Sequence, residues 1–369
     1  MKRIFHCLST LFVVCVCTTL AFGQEAGTTS YPEMKKELVA HIKTGADNPR
    51  NSEGAFVTLA NGDIIHVYSH FYGNSFGDHA TAFLASRRSS DGGRTWSETD
   101  CKELENEGKL NVMSVSLLRL QSGSIAMFYL VKESPGDCRL YMRVSSDEAK
   151  TWGERVLCIP DVSYNIVNND RVIQLSEGRL LAPVGRHAWD GKTDYGYYWN
   201  ADVFCMISDD DGKTWRRASD VAHLPGIIYQ EPGLVELADG RILMNIRTES
   251  GSQYMAWSDD KGETWTTPVP SELDSPVSPA RIKRVPGSDH LIAVWNPKIA
   301  DEGRIGMDIA ILSPDGTKTL VRKEIERNPQ GLQYPSIHFL DDKNFLVAYF
   351  SWTTGIFIYR MNLDDLKTP

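Results

Sequence analysis

Cysteine is scarce in this chain, 7 among 369 residues. Cys101, Cys138, Cys158 and Cys205 are the four beyond residue 23, and no two of them stand in CxxC spacing. That excludes a disulfide-built scaffold and argues against a zinc site, while one or two bridges stay compatible with an oxidising compartment. Positive charge is short as well: 39 Lys and Arg face 48 Asp and Glu, for a formal net charge of -9. A nucleic-acid partner requires a positive face that releases counterions, so none is expected. Beyond residue 22 no run is apolar enough to span a bilayer, and stable membrane insertion of the mature protein is not expected. The sequence holds no metal-ligand cluster and no cofactor motif, so the expected cofactor is none.

At the N-terminus Met1-Lys2-Arg3 is followed by an apolar run from Ile4 to Phe22, broken by Ser9, Thr10, Thr18 and Thr19, and then by Gly23-Gln24. A charged start, an apolar stretch and a small-residue end read as a secretory signal over residues 1–23, giving a secreted or periplasmic protein. The alternative, an uncleaved anchor, is disfavoured by the short run and its hydroxyls. Residues 24–369 are then expected to form a single domain.

An octapeptide recurs along that stretch. Ser89-Ser90-Asp91-Gly92-Gly93-Arg94-Thr95-Trp96 is followed by Ser145-Ser146-Asp147-Glu148-Ala149-Lys150-Thr151-Trp152, by Ser208 to Trp215 and by Ser258 to Trp265. A worn copy spans Ser313 to Thr319, and the spacings between starting serines are 56, 63, 50 and 55. The pattern S-x-D-x-G-x-T-W describes a tight turn: Ser and Asp side chains bond the turn backbone, glycine supplies positive φ, and Trp opens the outgoing strand. Ala149 replaces that glycine, so the second turn is expected to be strained or rearranged.

Six hairpins interleave with these boxes, around Gly62, Gly123, Gly178, Gly240, Gly287 and Asp342, and a strand-like segment precedes each of the four good boxes. Hairpin, third strand, box turn and fourth strand make one four-stranded blade. The expected fold is therefore all-β, a six-bladed β-propeller with Asp-box turns. The last unit lacks a box, and the segment Met34 to Ile42 is expected to supply its outer strand and close the ring. An open β-sandwich pair would not need a repeat of near-constant period.

Blade topology sorts residues by face. With the boxes at one end, chemistry belongs at the other: just before a first strand, at the end of a second strand, or in the following loop. Those places hold Arg50, Asn111, Asp170 with Arg171, Glu231 and Tyr334, then Asp78, His187, Arg247 and Arg304. Several arginines, two or three carboxylates and a tyrosine would face one axial cavity, which suits an anionic ligand and acid–base work.

With its signal, its boxes and six blades, the chain resembles the bacterial sialidase (neuraminidase) superfamily over nearly all of its mature length. The segment Glu231-Pro232-Gly233-Leu234-Val235-Glu236-Leu237-Ala238-Asp239-Gly240, running on to Arg247, is similar to the family's glutamate ahead of a V-E-L-x-D-G strand pair that ends in arginine. Arg304 and Tyr334-Pro335-Ser336 match the family's order. The resemblance implies a retaining exo-glycosidase acting on a glycan or glycoconjugate, releasing terminal sialic acid or a related 2-keto acid sugar. It implies that Tyr334 is the nucleophile, Glu231 its base and Asp78 the proton donor, with Arg50, Arg247 and Arg304 holding the substrate carboxylate. His79 is an alternative proton carrier. Asn48-Pro49-Arg50-Asn51-Ser52-Glu53 departs from the family's R-I-P motif, and Glu53 either neutralises Arg50 or faces the ligand. Asp170 and Arg171 are candidate substrate contacts, with ion pairing between blades as the other reading. A hydrolase or lyase for uronic-acid polysaccharides and a non-catalytic glycan-binding propeller stand as alternatives to the leading function.

Overall fold

A computed structural model describes residues 31–367 except 194, 195, 197, 300 and 301. The expected signal at residues 1–23 lies outside the described residues. Strand β1 (Glu37–Lys43) is followed by the first repeat, β2 (Arg50–Thr58), β3 (Ile64–Phe71), β4 (Ala82–Ser89) and β5 (Cys101–Leu104). The second is β6 (Asn111–Arg119), β7 (Ile125–Ser134), β8 (Asp137–Ser145) and β9 (Val156–Leu157). The third is β10 (Tyr164–Ile166), β11 (Ile173–Gln174), β12 (Leu180–His187), β13 (Asp202–Ser208) and β14 (Arg216–Arg217). The fourth is β15 (Tyr229–Glu236), β16 (Ile242–Thr248), β17 (Ser252–Ser258) and β18 (Val269–Asp274), and the fifth β19 (Arg281–Arg284), β20 (Leu291–Trp295), β21 (Gly306–Leu312) and β22 (Thr319–Arg327). The sixth is β23 (Gln333–Phe339), β24 (Asn344–Ser351) and β25 (Gly355–Asn362), before a short helix α1 (Leu363–Lys367). Among the described residues no helix is long and apolar enough to cross a membrane.

All six expected hairpins are present as β2–β3, β6–β7, β11–β12, β15–β16, β19–β20 and β23–β24. As anticipated, β1 pairs antiparallel with β25 and covers the last sheet edge. The blades are not six equal sheets, however. Four are separate four-stranded sheets, while the second and third repeats merge into one nine-stranded sheet. The cause is β10, which pairs antiparallel with β12 and, at Tyr164 opposite Cys138, parallel with β8.

Packing retains the sixfold plan. Middle strands such as β3, β16 and β20 are almost wholly buried because each sheet is covered on both faces by its neighbours. Hydrophobic clusters bridge successive repeats: Val67 and Leu84 meet Val115 and Met127, for example, and Phe56 and Ile64 meet Leu346 and Ile358 where the last repeat returns to the first.

The four good boxes share one hydrogen-bond plan. In the first, Asp91 Oδ1 accepts from the backbone of Arg94 and Thr95, Asp91 Oδ2 accepts from Thr95 Oγ1 at 2.6 Å, and Ser89 Oγ accepts from Gly93 N at 3.0 Å. Ala149 keeps the same bond to Ser145 Oγ at 2.9 Å, with φ of 58°. That turn is strained and not rearranged; an alanine held left-handed costs about 1–2 kcal/mol. All four cysteines beyond residue 30 are free, Cys101 exposed and the other three buried.

Candidate active site

The inner strands carry the feature that builds the site. β2, β6, β15 and β23 each break register at the same level, between Ser52 and Ala55, Met113 and Ser116, Tyr229 and Pro232, and Gln333 and Ser336. A bulge inserts an extra residue and re-aims its side chain. The residues within these four bulges include Glu53, Ser114, Glu231 and Tyr334, and all four line one cavity of about 310 Å³. Glu53, Ser114 and Tyr334 hold φ of 53°, 58° and 49°, conformations that are strained by about 1–3 kcal/mol each for residues with a Cβ.

At the centre Tyr334 OH donates to Glu231 Oε1 at 2.9 Å, and Arg247 Nη1 donates to Glu231 Oε2 at 2.5 Å. Arg304 lies with its guanidinium carbon 5.5 Å from the Tyr334 ring centroid and is anchored by Gln333 Oε1 and the Val277 carbonyl. Burial raises the Glu231 carboxyl, but the Arg247 and Arg304 guanidiniums outweigh it and hold the group below its ordinary value, so it is ionised at neutral pH. Burial and the Glu231 charge push the Tyr334 phenol well above its ordinary value. The pair is therefore a neutral phenol bonded to a carboxylate able to take its proton.

Asp78 and Glu53 form the opposite wall and share Arg50. Arg50 Nη1 donates to Asp78 Oδ1 at 2.6 Å, Nη2 to Glu53 Oε2 at 3.0 Å and Nε to Ser52 Oγ at 3.0 Å, while Trp352 covers the guanidinium at 4.3 Å. Burial pushes the Asp78 carboxyl up, yet Arg50 and Lys132 bring it down to about 2. For Glu53 burial outweighs Arg50, and its carboxyl lies above the ordinary value.

Of the expected residues, Tyr334, Glu231, Asp78, Arg247, Arg304 and His187 line this cavity. Arg50 does not: it is 1% exposed, and each of its three nitrogens has a protein partner. His187 is buried, with Nδ1 2.8 Å from the Tyr198 carbonyl, and burial lowers its pKa. His79 is not among the cavity-lining groups; its ring meets Tyr164 edge-on at 6.4 Å.

Asp170 and Arg171 sit elsewhere, because residues 168–171 leave the β-ladder and cross the axis. Asn169 Nδ2 donates to the carbonyls of Gly54 and Tyr334 at 2.9 and 3.4 Å, and Arg171 Nη1 donates to the Asn169 carbonyl at 3.0 Å. Asp170 accepts from Arg281 Nε, Lys283 Nζ and Ile337 N at 2.9, 2.9 and 3.1 Å. It borders a second cavity of about 640 Å³ at the far end of β15. The expectation that Asp170 and Arg171 contact substrate is corrected accordingly: neither lines the first cavity, Asp170 ties segments across the channel, and Arg171 is buried with its Nη1 bonded to its own segment. Burial raises the Asp170 carboxyl, but Arg281 and Lys283 hold it far below the ordinary carboxylate range. A depressed folded-state pKa means a contribution to stability that is complete above about pH 4, the unfolded value, and is lost as pH falls toward the folded one. Asp170→Asn is expected to destabilise the fold by about 3–5 kcal/mol, since it leaves the buried Arg281 and the half-buried Lys283 without their shared carboxylate. Urea unfolding measures this, and an unchanged midpoint would reject the role.

Among the cavity residues that escaped the sequence reading are Ser114 and Lys132. Lys132 was within reach of the same topological rule that singled out His187 and Arg247, for it too stands near the end of a second strand. Ser114 had no signal, since nothing in the run Asn111 to Arg119 marks a bulge.

Residues 110–347 match the sequence profile of the BNR repeat-like domain. The chain is similar to a sialidase of Micromonospora viridifaciens, 26% identical over 363 residues that cover 89% of this chain and 54% of that protein. It thus spans about half the length of that relative. Among solved structures, a Dyadobacter fermentans protein of unknown function superposes with a TM-score of 0.71 at 20% identity, covering 89% of this chain and 99% of that one. The intramolecular trans-sialidase from Ruminococcus gnavus superposes with a TM-score of 0.71 at 15% identity, covering 90% and 98%.

Proposed function

The chain belongs to the BNR repeat-like domain family of sialidase propellers, and from that premise we propose that it is a secreted retaining exo-glycosidase releasing a terminal sialic acid or a related 2-keto acid sugar. The observation that carries the proposal is the 2.9 Å bond from Tyr334 to Glu231, with Arg247 and Arg304 on either side of that pair in one cavity. A 2-keto acid sugar carries its carboxylate on the anomeric carbon. Arg247 and Arg304 hold that carboxylate by charge-assisted hydrogen bonds. Its negative charge would repel an anionic nucleophile, so a neutral phenol deprotonated during attack is the suitable one.

In the first step Tyr334 Oη bonds to the anomeric carbon and Glu231 takes the phenolic proton. The glycosidic bond breaks, and Asp78 gives its proton to the departing oxygen. Water then attacks the anomeric carbon with a second inversion, so that configuration is retained overall; its proton goes to the Asp78 carboxylate, the bond to Tyr334 Oη breaks, and Glu231 returns its proton to the phenolate. Arg50, expected as a third arm of the clamp, acts here through Asp78 and Glu53.

Hydrolysis of a chromogenic sialoside beside glycosides of other 2-keto acids and of uronic acids tests the proposal. Turnover of at least one 2-keto acid glycoside with retained configuration is expected. Cleavage of uronic-acid glycosides alone would place the carboxylate away from the anomeric centre and reject it. Absence of any cleavage would favour the binding propeller.

A further inference from the structure

Lys132, which the mechanism above does not use, is 1% exposed and lines the cavity. Its Nζ donates to the Asp78 carbonyl at 2.8 Å and lies 5.0 Å from the centroid of the Tyr164 ring. Its charge acts on the Asp78 and Glu53 carboxylates, while its one side-chain hydrogen bond among the described residues goes to the Asp78 carbonyl. An ammonium carries three donors. With one taken, two are left for the cavity's occupant, and a ligand that expels cavity water must offer them an acceptor or leave buried N–H donors unsatisfied.

The ring of repeats says which part of the ligand that is. Lys132 belongs to the second repeat and Arg304 to the fifth, and in a ring of six these stand across the axis from one another. A sugar whose carboxylate lies on Arg247 and Arg304 turns the opposite side of its ring toward Lys132. In a six-membered ring closed through the keto carbon, C2, the opposite carbon is C5. A hydroxyl there presents lone pairs directly to the ammonium. An acetamido group presents an N–H donor to a donor, carries its acceptor oxygen farther out, and brings a methyl group that would have to pack beside the buried charge.

Resting on the hydrolase reading above, we infer that Lys132 is a specificity-determining residue that selects a hydroxyl over an acetamido group at C5 of the 2-keto sugar acid. The test compares two chromogenic glycosides that differ only at C5, with wild-type protein, Lys132→Met and Lys132→Arg. Wild type is expected to favour the hydroxyl compound by about tenfold or more in kcat/KM, because a site built to bond an oxygen rejects an analogue that presents none in place. Lys132→Met is expected to lower that ratio by about tenfold, and Lys132→Arg, which keeps donors, to preserve it. Each ratio is taken within one protein, so any unfolded fraction cancels. Calorimetric binding of the two free sugar acids to the same proteins should give the same order. That arm decides the inference even when neither glycoside is cleaved, a result that rejects only the hydrolase reading. A wild-type ratio of one or below, a ratio unchanged in Lys132→Met, or no binding of either acid would overturn the inference.

Discussion

Tyr334→Phe is expected to lower kcat on a 2-keto acid glycoside by at least about 10³-fold while leaving the fold intact. The phenol is partly buried, un-ionised and bonded to one carboxylate, so its removal deletes a nucleophile and little packing: the ring still stacks on Phe350 with centroids 5.9 Å apart. Glu231→Gln should cost a comparable factor, because the phenol then lacks an acceptor able to take its proton. Residues that act as a unit are non-additive, so the double variant should be little slower than either single one. KM should move far less than kcat, since Arg247 and Arg304 still hold the substrate carboxylate. Unchanged turnover in Tyr334→Phe would remove Tyr334 from the chemistry. Additive losses in the double variant would show that the two groups act separately.

Why these two residues could be paired from sequence, and others could not, has a physical basis. Hairpins announce themselves through local turn chemistry and apolar periodicity, so all six were legible, as was the N-terminal strand that closes the last sheet on β25. Tyr334 and Glu231 were expected just ahead of first strands, at one end of the propeller axis, and were paired through the family resemblance; they in fact stand inside the starts of β23 and β15. The bulges at Glu53, Ser114 and Tyr334 were not legible. They place residues with a Cβ in the left-handed region; even where Gly54 lies within the first bulge, it is Glu53 that takes the positive φ. Tertiary packing around the axis imposes that strain, and no local signal encodes it.

The third repeat shows the same limit on a larger scale. Asn168-Asn169-Asp170-Arg171 reads as a polar lead into a strand, and its charges suggest ligand contact. Instead the segment bonds Gly54, Val115, Arg281, Tyr334 and Ile337, partners from four other repeats. A sequence reading assigns polar residues to a face, whereas their partners depend on which chain segments cross the axis. Arg50 failed for a related reason. Its position was right, but Glu53 three residues on and Asp78 in the next loop engage its guanidinium.

The pairing of Arg50 with Asp78 leads to the second large effect, on the leaving group. A proton donor must carry its proton, yet Arg50 and Lys132 hold Asp78 at about 2. At pH 6 a group of that pKa is protonated to a fraction on the order of 10⁻⁴. Only the protonated form of the free protein assists departure, so kcat/KM on a poor leaving group such as a second sugar should fall as pH rises above that value, by up to about tenfold per unit. A substrate carboxylate entering beside Arg247 and Arg304 adds negative charge to the cavity and raises the Asp78 pKa, which moves the same fall in kcat to higher pH. A nitrophenolate needs no proton, and its profile should lack this limb. Asp78→Asn should therefore slow a disaccharide by about 10²–10⁴-fold, erase the limb, and leave the nitrophenyl glycoside nearly untouched. Equal losses on both leaving groups would show that Asp78 serves Arg50 and not the glycosidic oxygen. Glu53 would then be the candidate donor: it lines the same wall, its carboxyl is raised by burial, and Ser114 Oγ already bonds it at 3.3 Å. A leaving-group-dependent loss in Glu53→Gln, with none in Asp78→Asn, would make that reassignment.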